Sequence, residues 1–143
     1  MRIAILAFLA LLTFGLNAQA ESQYPAQKVV YHINYADASR LSATFTNISN
    51  HIQAVGEANI ELKAVIHGSA IEYFMAAKDD AEKQITLDTL RLSGVHFIIC
   101  GNTLDGYHIG REDLYEVEAD DVVQAGLPEI VRLQQQGFSY VRP

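Results

Sequence analysis

Strand-like and helix-like segments alternate along the chain, and this alternation limits the folds that the sequence can adopt. Residues 28–34, 60–66 and 95–99 are rich in β-branched and other apolar residues and are predicted to be strands. Helical patterns separate them over residues 37–55 and 81–92. Strands that alternate with helices form a parallel sheet covered on both faces. The sequence therefore predicts an α/β fold: a small, doubly wound, mainly parallel five-stranded sheet with helices on both faces.

The first predicted helix has the clearest periodicity. Its apolar residues recur at intervals of three and four, which lays one stripe along a helix: Leu41, Phe45, Ile48, Ile52 and Val55. Asp37 is the predicted N-cap, and Gly56 is the predicted stop at the C-terminal end. Polar residues occupy much of the opposite side of this helix.

The later segments give shorter patterns. The segment over residues 81–92 is predicted to be a helix that contains four apolar residues: Ile85, Leu87, Leu90 and Leu92. Residues 69–77 fit either a loop or a short helix, and a turn is expected after the third strand. Val122-Val123 predicts a short fourth strand, Pro128 suits the first turn of a last helix ending at Gln136, and residues 138–141 predict a fifth strand. Residues 105–119 fit no regular pattern.

The first twenty residues have the composition of a targeting segment. Arg2 precedes an uncharged apolar run over residues 3–16, and Ala18-Gln19-Ala20 is a small-x-small cleavage sequence. A membrane anchor is the alternative, but the run is shorter than the about 20 residues that a spanning helix needs. We therefore interpret residues 1–20 as a signal peptide and residues 21–143 as a single exported domain. The expected location is the periplasm, with no membrane attachment after processing.

The charge balance argues against one class of partner. The chain has 10 Lys and Arg residues against 17 Asp and Glu residues, for a net charge of −7, and removal of Arg2 makes the charge more negative. Binding to a phosphate backbone requires a cluster of basic side chains, and the sequence contains none. Nucleic acid and anionic membrane surfaces are therefore not expected partners.

Cys100, the one cysteine of the chain, directly follows the third predicted strand. Active groups of open α/β sheets gather at the carboxyl ends of the strands, where residues 34–37, 67–68 and 100–103 are expected to meet. Unpaired backbone N–H groups at such a strand end favour a thiolate. Gly101 permits close approach to the sulfur, and Asn102 and Thr103 can donate hydrogen bonds to an anion there. The alternative is a buried, unreactive cysteine that only fills space.

The histidines give weaker indications. His67 ends the second strand, where it either exchanges a proton with the sulfur or simply caps the strand. His32 and His96 lie within strand patterns and are expected to be core histidines with satisfied hydrogen bonds. His51 lies on the polar side of the first helix and is expected to have no role. A metal site of Cys100, His67 and His108 is disfavoured, because these residues come from separate segments without the spacing of a known site. The sequence also has no G-x-S-x-G, G-x-G-x-x-G or P-loop motif.

Four segments of the chain form an ordered set: residues 47–51 (NISNH), 65–68 (VIHG), 94–104 (GVHFIICGNTL) and 134–143 (QQQGFSYVRP). Together they resemble the DsrE/DsrF-like family, a sulfur-relay superfamily that includes TusD-like proteins. The similarity extends over residues 28–143. It implies a small doubly wound domain that assembles into homo-oligomers, often trimers or hexamers.

The resemblance also implies a chemistry. In sulfur-relay members a cysteine at this strand end accepts sulfur as a persulfide and passes it on, and by position that residue is Cys100. The implied binding residues around it are His67, Gly68, Gly101, Asn102 and Thr103. Partners would be sulfur donor and acceptor proteins or small sulfur compounds, with no cofactor required. Because those members work in the cytoplasm, export argues against transfer-RNA modification.

The sequence therefore predicts a periplasmic, sulfurtransferase-like persulfide carrier. The alternative is a non-catalytic oligomeric module that binds a small ligand or a protein and has a structural cysteine.

Overall fold

A computed structural model of the protein describes residues 23–143. The predicted signal peptide, residues 1–20, lies outside the described residues. Five strands form one sheet in the order β4-β3-β2-β1-β5, and every pairing is parallel. The strands are β1 Gln27–Ile33, β2 Ile60–Ile66, β3 Val95–Cys100, β4 Val122–Val123 and β5 Ser139–Val141. The helices are α1 Ala38–Val55, α2 Ile71–Ala76, α3 Ala81–Leu92, α4 Gly101–Tyr107 and α5 Gly126–Gln135. The predicted α/β fold is confirmed.

Alternation of side chains along the strands divides the core into two layers. One face of the sheet packs against α1, α2 and α3, and includes Tyr31, Ala64 and Phe97. The opposite face packs against α5, where Val30, Val65 and Ile98 meet Ile130, Leu133 and Phe138. Burial on both faces explains why β3 and the carboxyl-end halves of β1 and β2 are mostly apolar.

The first helix has the predicted boundaries and orientation. All five residues of its apolar stripe are buried: Leu41, Phe45, Ile48, Ile52 and Val55. The Asp37 carboxylate accepts the Arg40 backbone N–H at 2.7 Å, which caps one of the free donors of the first turn. Gly56 ends the helix with a φ of 92°, a conformation that favours glycine.

The segment after β3 differs from the prediction. A helix, α4, replaces the expected turn and ends at His108, which has a φ of 56°. Within α4 the buried apolar side chain is Leu104, so this helix has no apolar stripe that periodicity could detect. Short 3-10 turns at Arg111–Asp113 and Ala119–Asp121 then lead to β4. The ambiguous residues 69–77 form a 3-10 turn that continues into α2.

The apolar residues of α3 separate into two groups. Leu87 and Leu90 are buried, whereas Ile85 is 68% exposed and Leu92 is 87% exposed. The predicted helix is confirmed, and Leu87 and Leu90 are the two of these residues that join the core. At 3.6 residues per turn, positions 85 and 92 fall on one side of a helix and positions 87 and 90 fall on the other. Across residues 23–143, no helix combines the length and the apolarity needed to cross a membrane.

Candidate functional site

Three segments that follow strands meet at the carboxyl edge of the sheet, as predicted. Ile66 of β2 pairs with Ile99 of β3, so His67 and Cys100, one residue further along each strand, are neighbours. Both side chains lie on the face of the sheet that α5 covers, because side chains alternate along a strand. The sheet therefore brings together Cys100 and His67, which the sequence predicted to meet at this edge.

Cys100 is buried beneath the start of α5. The residue is only 6% exposed, and its Sγ atom accepts a hydrogen bond from the backbone N–H of Gly126 at 3.2 Å. An N–H donor in this position stabilises negative charge on sulfur. The local geometry thus supplies a stabilising donor for a thiolate while limiting access to it.

Gly126 allows α5 to approach this closely. A Cβ at position 126 would lie 3.2 Å from Val65 Cγ1, 3.3 Å from Cys100 Cβ and 3.5 Å from His67 Cβ. These distances are at or below ordinary van der Waals separation, so a side chain at this position would push the first turn of α5 outwards. They also show that the Cβ atoms of Cys100 and His67 both lie close to Gly126.

The predicted residues Gly101, Asn102, Thr103 and Gly68 form a scaffold around the sulfur. The Asn102 backbone N–H donates to the Gln124 carbonyl at 3.0 Å, and the Thr103 hydroxyl accepts the Gly68 N–H at 2.9 Å. A Cβ at Gly101 would lie 3.0 Å from the Val123 carbonyl oxygen. These contacts fix the turns after β2 and β3. Binding of an anion by these residues stays a prediction.

Two histidines form a hydrogen-bonded pair beside Cys100. The Nε2 atoms of His32 and His67 are 2.5 Å apart, and their ring planes lie within 21° of each other with centroids 4.7 Å apart. The other ring nitrogen of His32, Nδ1, lies 2.6 Å from the Tyr140 hydroxyl. The expectation of a core histidine with satisfied hydrogen bonds is therefore confirmed for His32, and His67 does more than cap its strand.

Burial and nearby positive charge keep this pair neutral. Burial lowers the pKa of His32 to about 4, with further lowering by His67 and Arg142. Burial likewise lowers the pKa of His67, and the Arg142 guanidinium adds to this effect. Arg142 itself donates to the Asn34 side-chain oxygen at 2.8 Å. Both imidazoles are therefore uncharged at neutral pH, and one proton is shared between their facing nitrogens.

His96 differs from its prediction, and His51 has hydrogen-bond partners that the sequence did not indicate. His96 is not a core residue: its side chain is 49% exposed and pairs with Asp121 at 3.1 Å. It lies on the same face as Cys100, and it remains exposed nearer the amino end of β3. His51 also has partners, since its ring nitrogens contact the Tyr31 hydroxyl at 3.0 Å and the Gln27 side-chain oxygen at 2.7 Å. The described residues, 23–143, contain no group of three or more His, Cys, Asp or Glu placed to hold a metal ion.

Sequence reasoning missed Gly126, Tyr140 and Arg142 as site residues. Tyr140 reaches the site because β5 pairs with β1, with Val30 opposite Tyr140. Nothing in the local pattern indicates that pairing. Gly126 had one usable signal, because a glycine just before Pro128 marks the start of a helix at the same sheet edge.

The family model described as the DsrE/DsrF-like family matches residues 27–143. This chain belongs to the DsrE/DsrF-like family. Among solved structures, it is similar to the protein of unknown function MTH1491 from Methanobacterium thermoautotrophicum. The two share 30% sequence identity with a TM-score of 0.72, over 82% of this chain and 99% of that chain. No curated protein gives a significant match.

Membership of the DsrE/DsrF-like family confirms the resemblance drawn from the sequence segments. It suggests a sulfur-relay-like role, since family members act in sulfur relay with partner proteins. The solved relative has no stated function, so it supports the fold and the family alone.

Proposed function

We propose that this protein is a periplasmic sulfur carrier in which Cys100 accepts a sulfane sulfur as a persulfide and passes it to a partner. The supporting observation is the position of the Cys100 sulfur: it lies at the carboxyl edge of a DsrE-like sheet and accepts the Gly126 backbone N–H at 3.2 Å. That donor stabilises the Cys100 thiolate, both when it accepts sulfur and when it leaves as the sulfur is passed on.

The transfer step follows thiol exchange chemistry. The Cys100 thiolate attacks the terminal sulfur of a donor R–S–SH, and a new S–S bond forms. The donor's S–S bond breaks, and its electron pair leaves with the donor as a thiolate. The terminal sulfur is passed on by the same step in reverse, when an acceptor thiolate attacks it and Cys100 becomes the leaving thiolate. No outside oxidant or reductant is required.

Access to the sulfur is the main requirement of this function. Cys100 is only 6% exposed, and the first turn of α5 packs over it. A donor therefore reaches the thiol after this turn moves outwards. A partner that docks at the start of α5 would favour that movement, and a small sulfur compound can enter whenever the turn opens.

Export is part of the proposal and has its own test. The full chain is expressed, and a periplasmic fraction is prepared from the cells. The protein in that fraction should begin at Glu21, because cleavage is expected after Ala20. Replacing Ala18 and Ala20 with larger residues should leave the precursor uncut. Uncut protein in the cytoplasm from the unaltered chain would contradict periplasmic function.

Intact-mass spectrometry tests the carrier function directly. The protein is incubated with thiosulfate, polysulfide or glutathione persulfide, in parallel with the Cys100→Ser variant. We expect a gain of about 32 Da, one sulfur atom, that is reversed by a reductant and absent from the variant. Absence of the adduct with every donor would contradict the proposal.

The burial of Cys100 also favours a second candidate, a non-catalytic binding module in which the cysteine only packs. Alkylation by iodoacetamide distinguishes the two functions. A carrier thiol reacts in the folded protein, whereas a packing cysteine reacts only as fast as the protein unfolds. Equal rates of alkylation and of global unfolding would therefore favour the binding module.

A further inference from the structure

A continuous line of hydrogen-bonding side chains connects the solvent to the neighbourhood of Cys100. Tyr140 is 43% exposed, its hydroxyl lies 2.6 Å from His32 Nδ1, and His32 Nε2 lies 2.5 Å from His67 Nε2. We infer that Tyr140, His32 and His67 form a proton relay that exchanges the Cys100 thiol proton with solvent. This inference rests on the proposed function, because it assigns the route of the proton in that chemistry.

The relay begins beside the sulfur. His67 directly follows β2 and Cys100 ends β3, so the two residues are neighbours across the sheet. A Cβ added to Gly126 would lie 3.5 Å from the Cβ of His67 and 3.3 Å from the Cβ of Cys100. Within residues 23–143, His67 Nδ1 has no hydrogen-bond partner, and no buried side-chain nitrogen or oxygen lacks one. Nδ1 is therefore not fully enclosed by the described residues and is available to exchange a proton.

The hydrogen bonds permit two arrangements of protons. In the first, His67 Nε2–H donates to His32 Nε2, His32 Nδ1–H donates to the Tyr140 oxygen, and His67 Nδ1 carries no proton. In the second, each proton has moved one step, so that the Tyr140 hydroxyl donates to His32 Nδ1, His32 Nε2–H donates to His67 Nε2, and His67 Nδ1 is protonated. Both arrangements leave both imidazoles neutral.

Loss of the thiol proton converts the first arrangement into the second. The Cys100 thiol gives its proton to His67 Nδ1, His67 gives its Nε2 proton to His32, and His32 gives its Nδ1 proton to Tyr140. Tyr140 releases its original hydroxyl proton to water, so one proton leaves the protein and the thiolate remains. The reverse sequence returns a proton to the site, where the leaving donor thiolate takes it up.

A relay suits this site better than a single histidine base. A base that kept the proton would become an imidazolium, and burial together with the Arg142 charge disfavours that form. The charged group that acts on both imidazoles is Arg142, which is positive, and Tyr140 is the hydrogen-bond partner of His32 on β5. The buried Glu129 of α5 is paired with Arg132, so no carboxylate is seen to hold an imidazolium here.

The test measures how fast Cys100 reacts across a range of pH, with a persulfide donor and, separately, with iodoacetamide. Alkylation needs the same loss of the thiol proton and does not depend on sulfur transfer. The variants are His67→Gln, His32→Gln and Tyr140→Phe. The controls are His96→Gln, an exposed imidazole on β3, and Tyr107→Phe, an exposed tyrosine bonded to Glu72.

We expect His67→Gln to slow both reactions at neutral pH by roughly tenfold or more, since positioned acid–base groups contribute about 10²–10⁴. His32→Gln and Tyr140→Phe should slow them less, and the controls should match the unaltered protein. At high pH, where the thiol ionises without help, all variants should recover the unaltered rate. A purely structural role would instead change the rate equally at every pH.

The outcomes separate the relay from the carrier function. If the unaltered protein forms the persulfide and the variants match its pH profile, the relay is wrong and the carrier stands. If no persulfide forms but alkylation shows the expected pH shift, the relay stands and the carrier is wrong. Tyr140→Phe keeps the ring and loses only a hydroxyl. The pH profile of this variant therefore tests the relay even if the histidine variants do not fold.

Discussion

The backbone N–H of Gly126 points at the sulfur of Cys100, and the two atoms are 3.2 Å apart. This contact joins the start of α5 to the end of β3, across 26 residues of sequence. It exists because position 126 has no side chain, since any Cβ there would press on Val65, Cys100 and His67. The same glycine thus closes the site and provides the hydrogen-bond donor that the thiolate requires.

Gly126→Ala should therefore destabilise the protein. The added methyl meets packed neighbours at 3.2–3.5 Å, and overpacking of this kind costs about 1–3 kcal/mol. The measurement is the free energy of unfolding from urea denaturation. The matched control is Gly106→Ala in α4, where a Cβ would meet nothing within 4 Å and which should be neutral or stabilising. Equal stability of the two variants would show that α5 moves freely from the sulfur.

Thr103→Val should destabilise the turn after β2. The Thr103 hydroxyl accepts the Gly68 N–H at 2.9 Å, and valine removes that acceptor while keeping the shape of the side chain. The expected loss is about 1 kcal/mol, the usual cost of leaving a partly buried donor without a partner. Thr103→Ser retains the hydroxyl and should lose less. Faster hydrogen exchange of the Gly68 amide in the valine variant alone would locate the effect.

The histidine pair predicts a loss of stability in mild acid. The folded protein holds the pKa of His32 at about 4, below its ordinary value of 6.5, and the pKa of His67 is lowered as well. As pH falls from about 6.5 to about 4, the unfolded chain therefore binds protons at these histidines that the folded protein does not bind. The free energy of unfolding should fall across this window, and it should fall less in His32→Gln.

Thermal unfolding at several pH values checks this prediction. Each kcal/mol lost lowers Tm by about 4 °C in a domain of this size. His96→Gln is the control, because this exposed imidazole lies outside the pair. A pH dependence of the unaltered protein that His32→Gln and the control reproduce alike would exclude the pair as its source.

The oligomeric state predicted from the family needs a direct measurement. We expect light scattering on residues 21–143 at micromolar concentration to give the mass of a trimer or hexamer. Exposed apolar side chains on the outer side of α5, Leu127 and Val131, are consistent with further burial in an assembly. A monomer under these conditions would contradict the prediction.

The sequence alone determined the architecture and the place of the site. The stripe on α1, its cap at Asp37 and the apolar run of β3 are local patterns, and hydrophobic periodicity expresses them directly. Parallel strands then bring their carboxyl ends to one edge, so the sequence alone places His67 and Cys100 together. Sequence patterns failed at α4, where one buried side chain leaves no periodicity to read.

Only the tertiary structure decided what surrounds the sulfur. His32 and His96 have similar strand contexts, yet His32 is buried between His67 and Tyr140 whereas His96 is exposed. The difference arises because β5 returns to pair with β1, which brings Tyr140 to His32 from 108 residues away. The Gly126 contact with Cys100 likewise depends on how α5 crosses the sheet. Such contacts depend on strand order and helix packing, which are set by the energy of the whole core and leave no local pattern in the sequence.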